Sequence, residues 1–254
     1  MNMDDLAVRL EYYHDANPKK PSAWHNFEEN WAERDPIEEG YATVVLDSMT
    51  SAQLHKFHDA KFRTMRTAKD PRKWYGDMTE SLEQMVMGRF SALHCNVVVV
   101  AHMSREKDDR AGSMVYWPSA PGRLGPKGGG LPSAFAETYR AYVRTKSQDN
   151  EYLLQTETSS KHIACTQIQA PNPCEPEYEA LWENWKGKER PPIHLLVYGN
   201  AGAKKSMLAA TFPQPILVVM CDAIGKDGPY LRAGNPQKMK MNSGLGIYTR
   251  NVLR

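Results

Sequence analysis

The chain alternates between short apolar runs and longer segments in which apolar residues recur at helical spacing. Four runs have the length and β-branched content of buried strands: residues 41–46, 96–101, 193–198 and 215–221. Spacings of three and four predict helices over residues 22–33, 53–66, 73–90, 177–185 and 207–211. Because strands alternate with helices, we expect an α/β fold, a mostly parallel sheet flanked by helices on both faces.

Weaker patterns complete the predicted sheet and divide the chain. Further strands are predicted over residues 7–13, 139–145, 151–156 and 163–167. Residues 104–132 are first charged and then rich in glycine and proline, which predicts a mobile surface loop. Residues 186–192 are polar and end in two prolines, which predicts a linker between residues 1–185 and 193–254 of one domain spanning 1–254.

Composition narrows the possible partners. The 254 residues can bury a substantial core, and 32 basic against 30 acidic residues leave a net charge of +2. Bulk charge therefore does not indicate nucleic acid or an anionic membrane, and such a partner needs a local patch. The four cysteines lack C-x-x-C spacing, which fits a reducing cytoplasm. No apolar run approaches the roughly 18 residues that span a bilayer, so we expect a soluble cytoplasmic protein without a membrane partner.

Residues 199–206, GNAGAKKS, lie between a predicted strand and a predicted helix and resemble the phosphate-loop pattern G-x-x-x-x-G-K-[ST]. A nucleotide triphosphate needs inward backbone N–H groups, a lysine at its β and γ oxygens, and a hydroxyl for magnesium. Lys205 is the candidate phosphate lysine and Ser206 the candidate magnesium ligand. The predicted nucleotide contacts are Gly199, Asn200, Ala201, Gly202, Ala203, Lys204, Lys205, Ser206 and Met207. A glycine-containing turn before a helix is the simpler alternative.

Lys204 occupies the position where the pattern has glycine. If the backbone there needs the conformation that glycine favours, a lysine costs about 1–3 kcal/mol of strain and its side chain crowds the nucleotide. The added positive charge offsets part of that cost for binding.

Three polar residues end predicted strands, at the sheet edge where open α/β sheets collect their chemistry. Asp47 is the candidate for the second magnesium contact and for a catalytic role with Lys205. His102 senses the γ-phosphate, couples the site to the glycine-rich loop, or is a structural histidine. Asp222 either orients a water molecule or caps a turn.

The glycine-rich segment carries cations and aromatic residues that match a single-stranded DNA contact. The candidate DNA-binding residues are Arg105, Lys107, Arg123, Lys127 and Trp117. Acidic neighbours dilute this charge, and composition alone fits a plain surface loop equally well.

Together these motifs resemble RecA-like P-loop ATPases, and more closely the small phage ATP-binding proteins of that superfamily associated with single-strand annealing and recombination. The resemblance covers most of the chain, through TVVLDS, VVVVAHMSREKD, the tract GRLGPKGGGLPSAFAETYRAY and residues 193–234 around the phosphate loop. The family order is phosphate loop, second strand, magnesium-aspartate strand, sensor strand and DNA-facing loop. This chain has the same elements in rotated order, so it resembles a circular permutant whose termini meet at a strand hairpin.

The resemblance implies ATP and Mg²⁺ at Lys205, Ser206 and Asp47, single-stranded DNA as partner, and a homo-oligomer with ATP sites between subunits. The first hypothesis is an ATP-binding and ATP-hydrolysing protein acting on single-stranded DNA in phage recombination or annealing. The alternative is a non-hydrolysing single-stranded DNA-binding or annealing module with a degenerate phosphate loop. Lys204 favours the alternative, as does Ile224, which stands where RecA-type enzymes have glutamate. A small-molecule kinase also stays open.

Overall fold

The computed structural model describes residues 6–107, 112–125, 130–146, 149–222, 229–230, 238–242 and 248–253. The strands are β1 Leu6–Tyr12, β2 Thr43–Asp47, β3 Asn96–Lys107, β4 Met114–Pro118, β5 Glu137–Lys146, β6 Asp149–Gln155, β7 His194–Gly199, β8 Ile216–Met220, β9 Lys238–Asn242 and β10 Tyr248–Leu253. The α-helices are α1 Ala23–Trp31, α2 Met49–Asp59, α3 Pro71–Glu83, α4 Tyr178–Leu181 and α5 Lys205–Ala210. Short π-helical segments, Ala60–Thr64 and Gln84–Phe90, continue α2 and α3.

The sheet order is β6-β5-β7-β3-β2-β8-β1-β10-β9. Its centre, from β5 to β1, is parallel throughout, and β6 and β10 add antiparallel strands on either side of it. This arrangement confirms the predicted α/β fold with a mostly parallel sheet.

Helices cover both faces of the central strands. On one face, Val45, Val98 and Val197 join a buried cluster that includes residues of α5. On the other face, Val44 and Leu196 join a cluster that includes residues of α1, α2 and α3. Burial on both sides explains why β2, β7 and β8 are nearly continuous apolar runs.

Some predicted boundaries are wrong. The predicted loop from residue 104 is regular at its start, because β3 continues to Lys107 and pairs antiparallel with β4. Residues 163–167 form no strand; Cys165 makes only an isolated bridge to Thr138. The helix predicted over residues 177–185 is limited to Tyr178–Leu181. Residues 186–192 are exposed and contain neither helix nor strand.

The first and last described strands are neighbours. β1 and β10 pair antiparallel, and Leu6 lies opposite Leu253.

Among the described residues, no helix combines the length and apolar character needed to cross a bilayer.

Candidate functional site

Parallel pairing brings the predicted strand-end residues to one edge of the sheet. In the register between β3 and β7, His102 lies opposite Gly199. On the other side of β3, Asp47 ends β2, and its backbone oxygen accepts a 2.7 Å hydrogen bond from the N–H of Cys221, just after β8. Asp222 follows directly, so both candidate carboxylates stand at this edge.

The phosphate loop connects the end of β7 to the start of α5. A Cβ atom on Gly199 would lie 2.2 Å from the Ala141 carbonyl oxygen of β5, so only glycine fits there without a backbone shift. Gly202 has a φ of +79°, which also favours glycine. Ala203 is buried in the core, whereas Asn200 is exposed at the loop surface. Gly199 and Ala203 therefore pack against the fold, whereas Asn200, between them, is exposed to solvent.

Lys205 points back along this loop. Its Nζ atom donates hydrogen bonds to the carbonyl oxygens of Gly199 and Asn200, over 3.0 and 2.8 Å. The side chain is buried, and burial lowers the pKa of Lys205 against the opposing effect of the Asp47 and Asp222 carboxylates. A cation that is largely shielded from solvent is thus held beneath the loop.

Ser206 and Asp47 meet directly, because the Ser206 hydroxyl donates to Asp47 Oδ2 over 2.5 Å. The same oxygen accepts a second bond, of 2.7 Å, from the hydroxyl of Tyr230. Burial raises the pKa of Asp47, and the bonds from Ser206 and Tyr230 oppose that rise. Sequence reasoning does not find Tyr230, since no periodicity or motif marks it.

These residues fit a magnesium nucleotide. A hydroxyl and a carboxylate oxygen are hard ligands of the kind that Mg²⁺ takes together with phosphate oxygens. Gly199 and Gly202 keep Cβ atoms away from the loop, and Lys205 supplies the positive charge. Lys205 and Ser206, at the start of α5, and Asp47, at the end of β2, are therefore brought together at one edge of the sheet.

Asp222 is held by the start of α2. Its Oδ1 atom accepts hydrogen bonds from the hydroxyls of Ser48, at 3.1 Å, and Ser51. Both serines follow Asp47 in the chain, so one short segment positions the two carboxylates. No signal in the sequence indicates this pairing, because the partners are more than 170 positions apart. Ile224, two positions further on, lies outside the described residues.

His102 connects the site to β4. Its backbone N–H donates to Thr50 Oγ1 over 3.0 Å, and its carbonyl accepts from Ser119 N over 2.7 Å. His102 lies opposite Gly199 of the phosphate loop, and a role of its imidazole in sensing stays a prediction.

Lys204 adopts the left-handed conformation, with φ 58° and ψ 26°. This conformation costs a residue other than glycine about 1–2 kcal/mol. The side chain is exposed and lies against β6, where its Nζ atom is 3.8 Å from the centroid of the Tyr152 ring. Lys204 therefore has the backbone conformation that the pattern's glycine favours, although its side chain is that of a lysine.

The candidate DNA-binding residues do not share one surface. Directly opposite residues of an antiparallel pair lie on the same face, and Arg105 is opposite Tyr116 while Lys107 is opposite Met114. Trp117 is opposite Ser104 and therefore faces the other side, where its ring lies beside Gly130. The Arg123 side chain and the whole of Lys127 lie outside the described residues.

An aromatic pair that the sequence does not predict lies on the face of Arg105. The rings of Tyr116 and His162 stack, with centroids 4.9 Å apart and an interplanar angle of 13°. Burial, Arg140 and Lys161 lower the pKa of His162 to about 4, so the imidazole is neutral at pH 7. Both residues are half-buried and each keeps part of its surface in contact with solvent.

The fold and the site define the class of P-loop ATPase-like domains. A family model described as "AAA domain" matches residues 6–167, more than half of the chain, and the chain therefore belongs to the AAA domain family. The match includes Asp47 and His102, whereas the phosphate loop lies outside it. Neither the curated proteins nor the solved structures contain a match to this chain. Family membership indicates a nucleotide-binding domain of the ATPase kind.

Proposed function

We propose that this protein binds ATP with Mg²⁺, hydrolyses it, and acts on single-stranded DNA in phage recombination or annealing. The observation that carries the nucleotide part is the hydrogen bond from Ser206 to Asp47, formed next to the buried Lys205. These are the three side chains that the resemblance assigns to the magnesium nucleotide.

Each residue has a distinct task in this proposal. Lys205 Nζ exchanges its bonds to the loop carbonyls for bonds to phosphate oxygens. Ser206 Oγ and Asp47 would hold Mg²⁺, which neutralises charge on the phosphates when it is bound. Asp222, fixed by Ser48 and Ser51, offers a carboxylate that can orient a water molecule.

The order of elements supports a circular permutation of the family arrangement. The family match stops before the phosphate loop, yet β7 pairs with β3 inside the parallel sheet. Leu6 pairs with Leu253, so the first and last described strands are neighbours, as a hairpin cut at its turn requires.

The DNA part of the proposal rests on the face that carries Arg105, Lys107 and the Tyr116–His162 stack. Cations track a phosphate backbone and aromatic rings stack on bases without sequence preference. Assembly into a homo-oligomer with ATP sites between subunits follows from the resemblance, and light scattering with and without ATP tests it.

ATP turnover, measured with and without single-stranded DNA, tests the proposal. We expect turnover that rises when single-stranded DNA is added, both in the natural chain and in Lys204→Gly. Turnover that is absent before this substitution and restored after it identifies the natural chain as the non-hydrolysing DNA-binding module. Absence of turnover in both proteins contradicts hydrolysis altogether.

A further inference from the structure

A groove with a volume of about 330 Å³ opens directly beside the phosphate loop. Its walls come from the loop and α5, from β6, and from the turn that precedes α4: Lys204, Met207 and Thr211; Glu151, Tyr152 and Leu153; Glu175, Pro176 and Glu177. The volume lies in the range of small-molecule sites. Lys204 and Met207 also belong to the predicted nucleotide contacts, so the groove borders the position expected for the phosphates of a nucleotide.

The groove offers one aromatic face, and Lys204 covers it. The Nζ atom stands 3.8 Å from the centroid of the Tyr152 ring, a cation–π contact at an exposed position. Such contacts are weak compared with the bond between an ammonium group and a phosphate. We therefore expect a polyphosphate on the loop to compete with the ring for the Lys204 ammonium group.

The other polar groups of the groove are carboxylates. Glu151 is paired with Arg144 and Lys146. Glu175 and Glu177 are exposed, and neither forms an ion pair within the described part of the chain. Such carboxylates accept hydrogen bonds from hydroxyl and amino groups, which ribose and adenine carry.

We propose that this groove binds the nucleoside of the nucleotide, and that Lys204 and Tyr152 gate it. In the structure Lys204 covers the Tyr152 ring; when nucleotide binds, its ammonium group contacts the phosphates and the ring stacks on the base. The lysine that breaks the glycine pattern thereby has a task in recognising the ligand. This inference rests on the proposed nucleotide binding.

Calorimetric titration with two ligands separates the inference from that proposal. Inorganic tripolyphosphate presents only the phosphates, whereas ATP adds the nucleoside. We expect Tyr152→Leu to weaken ATP binding about tenfold and to bind tripolyphosphate at least as tightly as the natural chain does, because the ring no longer holds the Lys204 ammonium group. Tyr142→Leu is the matched control: Tyr142 also carries a cation on its ring, that of Arg140, but it lies one strand away and outside the groove. It should bind both ligands as the natural chain does.

Lys204→Gly tests the movement of the ammonium group. We expect this variant to bind tripolyphosphate several-fold more weakly, because glycine has no ammonium group to bond the phosphates. Unchanged tripolyphosphate affinity in Lys204→Gly, or unchanged ATP affinity in Tyr152→Leu, overturns the gate and leaves the proposed function standing. If the folded natural chain binds neither ligand, the proposed function fails, and this inference fails with it.

Discussion

The hydroxyl of Ser206 donates a 2.5 Å hydrogen bond to Asp47, although 159 positions separate the two residues in the chain. The bond joins the end of β2 to α5, the helix that follows β7, and in the sheet β3 lies between β2 and β7. No local pattern can bring the two side chains together, so the candidate magnesium site depends on the strand order. The site is therefore sensitive to changes that move β7 against its neighbours.

Gly199→Ala should destabilise the protein more than Gly202→Ala does. The added methyl group at position 199 would meet the Ala141 carbonyl at 2.2 Å, whereas no atom lies within 4 Å of the corresponding point at Gly202. We expect the free energy of unfolding to fall by about 2–4 kcal/mol in Gly199→Ala and by about 1 kcal/mol in Gly202→Ala, from its positive φ alone. Urea unfolding of both variants measures the difference, and equal effects would contradict the close approach of β5.

Asp47→Asn should raise the free energy of unfolding of the nucleotide-free protein near neutral pH. Burial raises the pKa of Asp47, so the folded chain binds this proton more tightly than the unfolded chain does. Ionisation of this carboxylate therefore lowers the free energy of unfolding at pH values above its pKa in the folded chain. The loss disappears at pH values below its pKa in the unfolded chain, about 3.9. The asparagine amide does not titrate in this range.

Urea unfolding of the natural chain and Asp47→Asn at several pH values tests this linkage. The advantage of Asp47→Asn should shrink as the pH falls from about 8 to about 4. An advantage that stays constant or grows on acidification is inconsistent with a raised pKa. The same substitution should weaken magnesium-dependent ATP binding.

Arg105→Ala and Lys107→Ala should each weaken the binding of single-stranded DNA and its dependence on salt. For a single strand, the slope of log K against log salt falls by about 0.7 for each phosphate that a variant no longer neutralises. Arg72→Ala is the control, because Arg72 is a highly exposed arginine on α3 and belongs to neither β3 nor β4. Salt titrations with an oligothymidine give the slopes, and a slope unchanged in both test variants would remove this face from the proposed interface.

The sequence predicts the sheet best where strands are buried on both faces. The valine-rich runs of β2 and β3 have the composition and the length that are typical of buried parallel strands. The extension of β3 past His102 is not predicted, because it includes three charged residues in a row, Arg105, Glu106 and Lys107, which are typical of a loop. Only the pairing with β4 makes this segment a strand.

The candidate site also contains some residues that the sequence predicts and others that it does not. Lys205, Ser206 and Asp47 belong to local patterns, a phosphate loop and a strand end, so they could be predicted. Tyr230 and Tyr152 could not be, because their roles arise from contacts with distant elements. The left-handed backbone of Lys204 follows from the glycine that the pattern has there, whereas the position of its side chain over Tyr152 depends on where β6 lies.

ATP titration of the natural chain and of Lys205→Met, in the presence of Mg²⁺, tests the central claim most directly. Lys188→Met, in the exposed segment 186–192, controls for the removal of one positive charge. We expect saturable binding by the natural chain and by Lys188→Met, and an affinity at least about tenfold lower in Lys205→Met, because methionine cannot bond the phosphates as the buried ammonium group does. Equal ATP affinity in all three folded proteins, or no binding by any of them, would contradict a nucleotide site at residues 199–206.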